Sequence, residues 1–173
     1  MPRPLPNHPD VTVRPIRATD KDALLDLFAR LGAQSRLRRF LAPKPSLSAK
    51  EVAYLTEIDG RTHAALVALG PDGAFIGVAR YACAVGETET ADVAFAVADA
   101  WQGRGIGTAL AALLVEHARA NGIVRLQAMT LPENAPARKL LGRTGFELTG
   151  IDRGVLELAL DLRATAKAER RAA

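Results

Sequence analysis

The sequence is poor in the residues on which several kinds of function depend. It has a single cysteine, Cys83, which excludes an intramolecular disulfide and a multi-thiolate metal site. No apolar run approaches the ~20 residues that cross a bilayer. The first ten residues contain four prolines where a signal peptide would have an apolar stretch. These absences predict a cytoplasmic protein that has no membrane partner and no metal, and in which Cys83 is structural.

Positive charge is in modest excess and is concentrated at one end. The net charge is +4, and residues 162–173 contribute +3 of it through four basic residues and one acidic residue. The rest of the chain is nearly neutral, and aromatic residues make up only 5% of the sequence. A nucleic-acid-binding face would need a basic stripe with interleaved aromatics. We therefore expect no nucleic-acid partner.

Length and hydrophobic patterning predict one α/β domain. A chain of 173 residues can bury roughly 70% of its unfolded surface around a single core. We expect 1–10 to be a flexible, proline-rich lead-in, 11–161 to be the domain, and 162–173 to be a basic, alanine-rich tail. Periodicity and capping residues predict strands over 11–16, 64–69, 75–84, 90–97, 123–130 and 155–160, and helices over about 19–31, 35–40, 48–57, 105–120 and 135–144. Thr19 followed by Asp22 resembles a capping arrangement for the first of these helices, and Ser48 with Glu51 forms a capping box for the third.

A glycine-rich segment joins the strand that ends at Val97 to the next helix. Its sequence over 102–107 is Gln-Gly-Arg-Gly-Ile-Gly. A helix start has unpaired N–H groups and the positive end of the helix dipole, so a phosphate is stabilised there. The segment lacks the Gly-Lys-Ser/Thr of a Walker loop and the glycine spacing of a dinucleotide site. It is either a simple tight turn or a phosphate site of another kind.

Motifs along most of the chain resemble the GNAT superfamily of acyl-CoA N-acyltransferases. They are Phe95-Ala96-Val97, the run from Trp101 to Thr108, and Glu133-Asn134 followed by Gly145-Phe146. The resemblance covers about 11–160, and Arg14 to Arg17 and Leu47-Ser48 resemble Pat-type bacterial protein lysine acetyltransferases in particular. It implies an α/β (α+β) fold with a mostly antiparallel mixed sheet of about six to seven strands, flanked by helices, in which a splayed strand pair holds acyl-CoA.

The same resemblance implies acetyl-CoA as co-substrate and assigns residues to it. Backbone groups of Phe95, Ala96 and Val97 would contact pantetheine, Gln102, Gly103, Arg104, Gly105, Ile106, Gly107 and Thr108 would hold the pyrophosphate, and Asn134 would lie near the reactive end. Asn134 is equally suited to cap the helix that starts at Ala135, and the two roles are compatible.

Asp92 is the best-placed general base. Attack on a thioester requires a neutral amine, and a lysine of pKa about 10.4 is ~3.4 units from that state at pH 7, a cost of about 4.6 kcal/mol. A carboxylate can take the proton directly or through water, and burial raises the pKa of such a group. Pat-type proteins resemble one another in having a glutamate at the position of Asp92. Strand alternation places Asp92 with Ala94 and Ala96; the alternative is a solvated aspartate, and Glu89 is a weaker candidate.

Other candidate residues carry less weight. Many GNAT members have a tyrosine shortly before the Gly-Phe pair that reprotonates the thiolate, and this chain has Leu141 there. A thiol of pKa ~8.5 is a fair leaving group that solvent can protonate. We expect His63 and His117 to be structural, since one enters an apolar strand and the other lies mid-helix. Arg36, Arg38 and Arg39 either orient an acidic protein substrate or form a solvated face.

The sequence thus predicts an acetyl-CoA-dependent N-acetyltransferase that acts on protein lysines by direct transfer in a ternary complex. Acyl-CoA synthetases are candidate protein substrates, as in the Pat-type group. A small amine is the alternative acceptor. A non-catalytic acyl-CoA sensor is a third reading, motivated by Asp92 and Leu141 at positions where glutamate and tyrosine are usual. Both a monomer and a homodimer are compatible with the sequence.

Overall fold

The computed structural model describes residues 2–5 and 7–163, and a twisted sheet with helices on both faces organises them. The strands in this part of the chain are β1 (Arg3–Leu5), β2 (His8–Pro15), β3 (His63–Leu69), β4 (Phe75–Cys83), β5 (Thr90–Val97), β6 (Arg125–Thr130), β7 (Glu147–Asp152) and β8 (Val155–Asp161). The helices are α1 (Lys21–Ala29), α2 (Ala33–Phe40), α3 (Ala49–Thr56), α4 (Ile106–Ala120) and α5 (Ala135–Thr144), with a short 3-10 turn at Asp99–Trp101.

The eight strands form one sheet in the order β1-β2-β3-β4-β5-β6-β8-β7. Every neighbouring pair is antiparallel except β5 and β6, which are parallel. The β5–β6 ladder has only three paired positions and ends where Asp92 lies opposite Gln127. Beyond that point β5 stays paired with β4 and β6 stays paired with β8. The two strands therefore diverge, which is the splayed pair that the resemblance implies.

Each face of the sheet has its own core. On one face, Ile106, Leu110 and Leu114 of α4 pack over the sheet in the larger hydrophobic cluster. On the other face, which we call the α1–α3 face, Leu27 of α1 packs with Val78 of β4 in a smaller cluster. The partly buried Val93, Phe95 and Val97 join the first cluster and Ala96 joins the second. Residues of β5 thus alternate between the two faces, as the sequence predicts.

The N-terminal region differs from the prediction. Residues 3–5 form an edge strand on β2, with Leu5 only 2% exposed, and β2 begins at His8 rather than at Val11. An edge strand tolerates proline because one side of it donates no ladder hydrogen bonds. The prolines therefore did not prevent residues 3–5 from pairing with β2. Of the predicted tail, Leu162 is buried and its N–H donates to Val124 O (2.9 Å), and residues 164–173 lie outside the described part of the chain.

The strand β7 and the start of α1 also differ from the sequence prediction. β7 was missed because its residues are almost all exposed and its short alternation of polar and apolar side chains is interrupted at Gly150. The residue before α1 is Asp20 rather than Thr19, and it does not cap the helix, since its carboxylate binds Arg14. The capping box of α3 is as predicted: Ser48 N–H donates to Glu51 Oε2 (2.8 Å) and Glu51 N–H donates to Ser48 Oγ (3.3 Å).

No helix in the described ranges has the length and apolarity needed to span a membrane.

Candidate active site

A cleft of about 560 Å³ opens where β5 and β6 diverge. Its volume lies within the usual range for small-molecule sites. One wall is β5 from Asp92 to Val97 and the other is β6 from Gln127 to Thr130, and the starts of α4 and α5 close one end. The predicted residues Gln102, Gly103, Gly105, Ile106, Gly107, Thr108 and Asn134 also line it. The structure therefore brings almost all of the predicted site residues to one cleft; Arg104 is outside the lining.

The glycine-rich turn needs glycine for its backbone shape. Gly103 (φ 74°) and Gly105 (φ 84°) lie in the left-handed region that other residues rarely adopt. Gly105 immediately precedes α4, and no side chain of the described residues caps that helix. A Cβ on Gly107 would lie 2.9 Å from Leu140 Cδ1, so this glycine permits the close approach of α4 and α5. An uncapped helix start bordering a cleft is suited to an anionic ligand.

Gln102 holds the turn in place through its side chain. Its Nε2 donates to Val97 O (3.0 Å), Ser35 Oγ (3.1 Å) and Asp99 Oδ1 (3.2 Å). Asp99 in turn accepts from Ser35 Oγ (2.7 Å) and from Gly32 N–H (3.1 Å). This network ties the turn to the start of α2. The Gln102 side chain is therefore engaged within the protein, and sequence motifs had not indicated Ser35 or Asp99 as its partners.

Two cationic or titratable side chains lie around the turn. The Arg104 guanidinium stacks over the Trp101 ring, 4.9 Å from its centroid. His8, the first residue of β2, is close to the turn, because a Cβ on Gly105 would lie 3.7 Å from His8 Nε2. Sequence reasoning missed His8, since it treated the first ten residues as a flexible lead-in.

Asp92 lies at the point where the strands part. It pairs with Ala82 of β4 and with Gln127 at the last position of the β5–β6 ladder. Its side chain projects from the α1–α3 face, lines the cleft and is exposed, so solvent reaches the carboxylate. Glu89 is placed differently, because its carboxylate pairs with Arg163 (3.4 Å) and is not part of the cleft lining.

The far wall of the cleft combines apolar and polar groups. Leu141 of α5 is 3% exposed and lines it, at the position where tyrosine is usual in the superfamily. Asn134 is 6% exposed, and its Oδ1 accepts from Ala137 N–H (3.3 Å), so the side chain caps α5 while bordering the cleft. Thr130 Oγ1 is buried there and has no hydrogen-bond partner among residues 2–5 and 7–163.

The two histidines and the cysteine singled out in the sequence lie away from the cleft. Arg80 Nη1 donates to His63 Nε2 (3.1 Å), and burial together with the Arg80 charge lowers the pKa of His63 to about 4. His117 Nδ1 lies 3.2 Å from Tyr81 Oη, and burial lowers its pKa. Cys83 packs at the edge of the larger core, and burial raises its pKa. Within residues 2–5 and 7–163, no cluster of three or more metal-ligating side chains is found.

The basic residues of α2 have different surroundings. Arg36 is anchored by Leu31 O (2.8 Å) and Pro45 O (3.0 Å) and stacks on Phe28. Arg38 and Arg39 line the cleft. They therefore do not form a uniformly solvated face.

Together these features define an acyltransferase-like site, in which an uncapped helix start and a carboxylate border one cleft between splayed strands. Residues 10–147 match the family described as Acetyltransferase (GNAT) domain. The chain belongs to this family, which confirms the resemblance seen in the sequence. The fold prediction is also confirmed, with eight strands in the described ranges rather than six or seven.

Two curated relatives are similar over most of this chain. Acetyltransferase Pat of Mycolicibacterium smegmatis is 33% identical over 155 residues, covering 87% of this chain and 45% of the relative. This chain thus spans less than half the length of that protein. Acetyltransferase PA5475 of Pseudomonas aeruginosa is 32% identical over 141 residues, covering 79% of this chain and 74% of the relative.

Solved structures agree with these relationships. The GNAT domain of S. lividans PAT superposes with a TM-score of 0.82 at 34% identity, covering 87% of this chain and 90% of that one. The yncA protein of Salmonella typhimurium, solved with its cofactor acetyl-CoA, has a TM-score of 0.72 at 21% identity, covering 88% and 94%. The second likeness shows the shared fold alone. Enzymes of this fold use acetyl-CoA.

Proposed function

We propose that the protein transfers the acetyl group of acetyl-CoA to lysine side chains of proteins in a ternary complex, with acyl-CoA synthetases among the candidate substrates. The observation that carries this proposal is the arrangement of the cleft. An uncapped helix start for phosphates lies at one end, and the exposed Asp92 carboxylate lies where β5 and β6 part. The resemblance to Pat-type protein lysine acetyltransferases, with which the 33% identity to Acetyltransferase Pat agrees, supports a protein acceptor.

The coenzyme would occupy the gap between β5 and β6. Past Asp92, the edge of β5 that faces β6 has no ladder partner. The backbone of Phe95, Ala96 and Val97 can therefore pair with the pantetheine amides much as it would with an added strand. The N–H groups from Gly103 to Thr108 would bind the pyrophosphate, with Gln102 holding the turn, Arg104 adding positive charge, and Asn134 bordering the thioester end.

Asp92 would act as the general base. It accepts a proton from the lysine ammonium, directly or through a water, and the neutral amine then attacks the thioester carbonyl. The C–S bond breaks as the C–N bond forms, the coenzyme thiolate leaves, and the acetylated nitrogen loses its extra proton to water to give the amide. With Leu141 in the usual tyrosine position, solvent supplies the proton to a thiolate whose conjugate acid has a pKa of about 8.5.

The mouth of the cleft is open enough for a macromolecular acceptor. Asp92 and Gln127 are exposed, and Met129 on the same β6 wall is 58% exposed. A lysine on a protein surface can therefore approach the carboxylate without entering a closed pocket. This exposure supports a protein acceptor over one enclosed entirely by the enzyme.

The test is thiol release from acetyl-CoA with lysine peptides, acyl-CoA synthetases and small amines as acceptors. We expect Asp92→Ala to lower kcat on protein lysines by about 10²- to 10⁴-fold, the usual contribution of a general base, while acetyl-CoA affinity is retained. Glu89→Ala is the matched control, because Glu89 is an exposed carboxylate outside the cleft. Its kcat should match that of the unmodified protein.

Each other outcome points to a different function. Full turnover by Asp92→Ala would place the base elsewhere. Transfer to small amines alone would replace the protein acceptor with a small molecule. Acetyl-CoA binding without thiol release on any acceptor would indicate a sensor.

A further inference from the structure

Two arginines on the α1–α3 face lie among neutral groups, Arg80 buried and Arg39 partly buried. Arg80 of β4 is 5% exposed, and it donates to His63 Nε2 (3.1 Å) and Leu55 O (2.9 Å). Arg39 of α2 stacks over the Phe40 ring, 4.8 Å from its centroid. In residues 2–5 and 7–163, no carboxylate lies within ion-pairing distance of either guanidinium. The pair is therefore a concentration of positive charge without a counter-ion there.

Burial without a counter-ion is unfavourable for both groups. It lowers the pKa of Arg39 to about 10. Burial, and then the charge of Arg39, lowers the pKa of Arg80 to about 9. Both values leave the two side chains charged at neutral pH. Arg38 adds to this excess of positive charge at the cleft wall, because its buried Nε has no hydrogen-bond partner in the described part of the chain.

The two arginines lie beside the cleft on the side of Asp92. Both line a cavity of about 30 Å³, the space of roughly one water molecule, whose other walls are almost all apolar. Arg39, Phe40 and Ala96 border this cavity and the main cleft alike. In the β4–β5 ladder, Arg80 lies opposite Ala94 and Asp92 lies opposite Ala82. Arg80 and Asp92 are therefore diagonal neighbours on one face of the sheet, with their backbone positions about 7–8 Å apart.

We propose that Arg39, with Arg80 behind it, forms a subsite at the wall of the main cleft for a carboxylate of the acceptor, so that the enzyme prefers amines that also carry an acidic group. A carboxylate fits the planar donor pattern of guanidinium groups and would supply the missing counter-ion. Its source is an acidic side chain near the target lysine or the carboxylate of a small amino acid. The placement of the acceptor amine beside Asp92 rests on the proposed function.

Binding tests the subsite without any acetyl transfer. The probes are N-acetyl-ε-aminocaproate and its primary amide, titrated calorimetrically into protein saturated with coenzyme A. Losing a buried charge pair weakens binding by about 30-fold or more, so we expect at least that preference for the carboxylate over the amide. Arg39→Gln should abolish the preference and keep coenzyme affinity. Arg61→Gln, which removes an exposed arginine away from the cleft, should retain it.

Equal affinity for the two probes, no binding of the carboxylate, or an unchanged preference in Arg39→Gln would overturn the subsite. Transfer assays then identify the source of the acid. They compare KM for lysine peptides flanked by glutamate or by glutamine, and for ε-aminocaproate and its amide. Carboxylate binding that depends on Arg39, without acetyl transfer, would refute the proposed function and leave the subsite intact. Acetyl transfer without a preference for the carboxylate, in either the binding or the transfer assay, would refute the subsite and leave the proposed function intact.

Discussion

Replacing Asp20 by alanine should destabilise the protein strongly. Asp20 accepts two hydrogen bonds from Arg14 (2.7 and 2.9 Å) and one from Arg17 N–H (2.8 Å). The side chains of Arg14 and Asp20 are only 12% and 10% exposed. Asp20→Ala leaves the buried Arg14 charge without its partner, which typically costs about 3 to 5 kcal/mol. For a chain of this length that corresponds to a fall in Tm of roughly 6 to 20 °C.

The assay is urea unfolding followed by circular dichroism, with Glu57→Gln as control. Glu57 pairs with Lys21 on the surface, where the two side chains are 53% and 46% exposed. Such pairs contribute about 0 to 1 kcal/mol, so the control should change the free energy of unfolding little. A cost below about 1 kcal/mol for Asp20→Ala, or one equal to that of the control, would refute the reasoning.

The same pair has a pH signature. The hydrogen bond from Arg14 is the main reason that the pKa of Asp20 is below its ordinary value of 3.8. A carboxylate with a lowered folded-state pKa contributes stability that is fully present above the unfolded value and is lost as the pH falls through the folded one. The advantage of the unmodified protein over Asp20→Ala should therefore persist down to about pH 4 and shrink below it.

Two further changes test the glycine-rich turn and a helix cap. Gly105→Ala places a side chain at φ 84°, so it should cost about 1 to 2 kcal/mol and weaken acetyl-CoA binding measured by calorimetry. Gly122→Ala imposes similar strain at φ 83° beyond the far end of α4, and equal loss of acetyl-CoA affinity in both variants would contradict the phosphate role of the turn. Ser48→Ala removes the capping box of α3 and should cost about 1 kcal/mol in urea unfolding at unchanged acetyl-CoA affinity. No loss of stability would contradict that cap.

Features that depend on neighbouring residues were predictable. The capping box of α3 joins residues three apart, and its sequence alone indicates it. The start of α4 follows from glycines at 103, 105 and 107 beside an apolar helix pattern. Alternation along β5 correctly placed Asp92 on one face and Phe95 on the other. Such patterns are visible in sequence because helix and strand periods relate positions only a few residues apart.

Features that depend on residues far apart in the sequence were not predictable. The sequence did not indicate the edge strands β1 and β7, because edge strands need little apolar alternation and form only against an existing sheet. It did not show that Gln102 is engaged by Ser35, which is 67 positions away. The sequence also did not indicate that His8 lies close to Gly105.

The local sequence by itself thus determined the starts of α3 and α4, the glycine-rich turn and the face on which Asp92 lies, since each follows from short-range sterics and hydrogen bonding. Tertiary structure decided how exposed that carboxylate is and which charges are buried. Arg39 and Arg80 are ordinary cations in the sequence, and only the packing of α2 against β5 and of α3 against β4 places both at one cavity without a carboxylate partner in the described part of the chain. Burial and pairing are properties of the assembled core, because they depend on groups that are far apart in the chain.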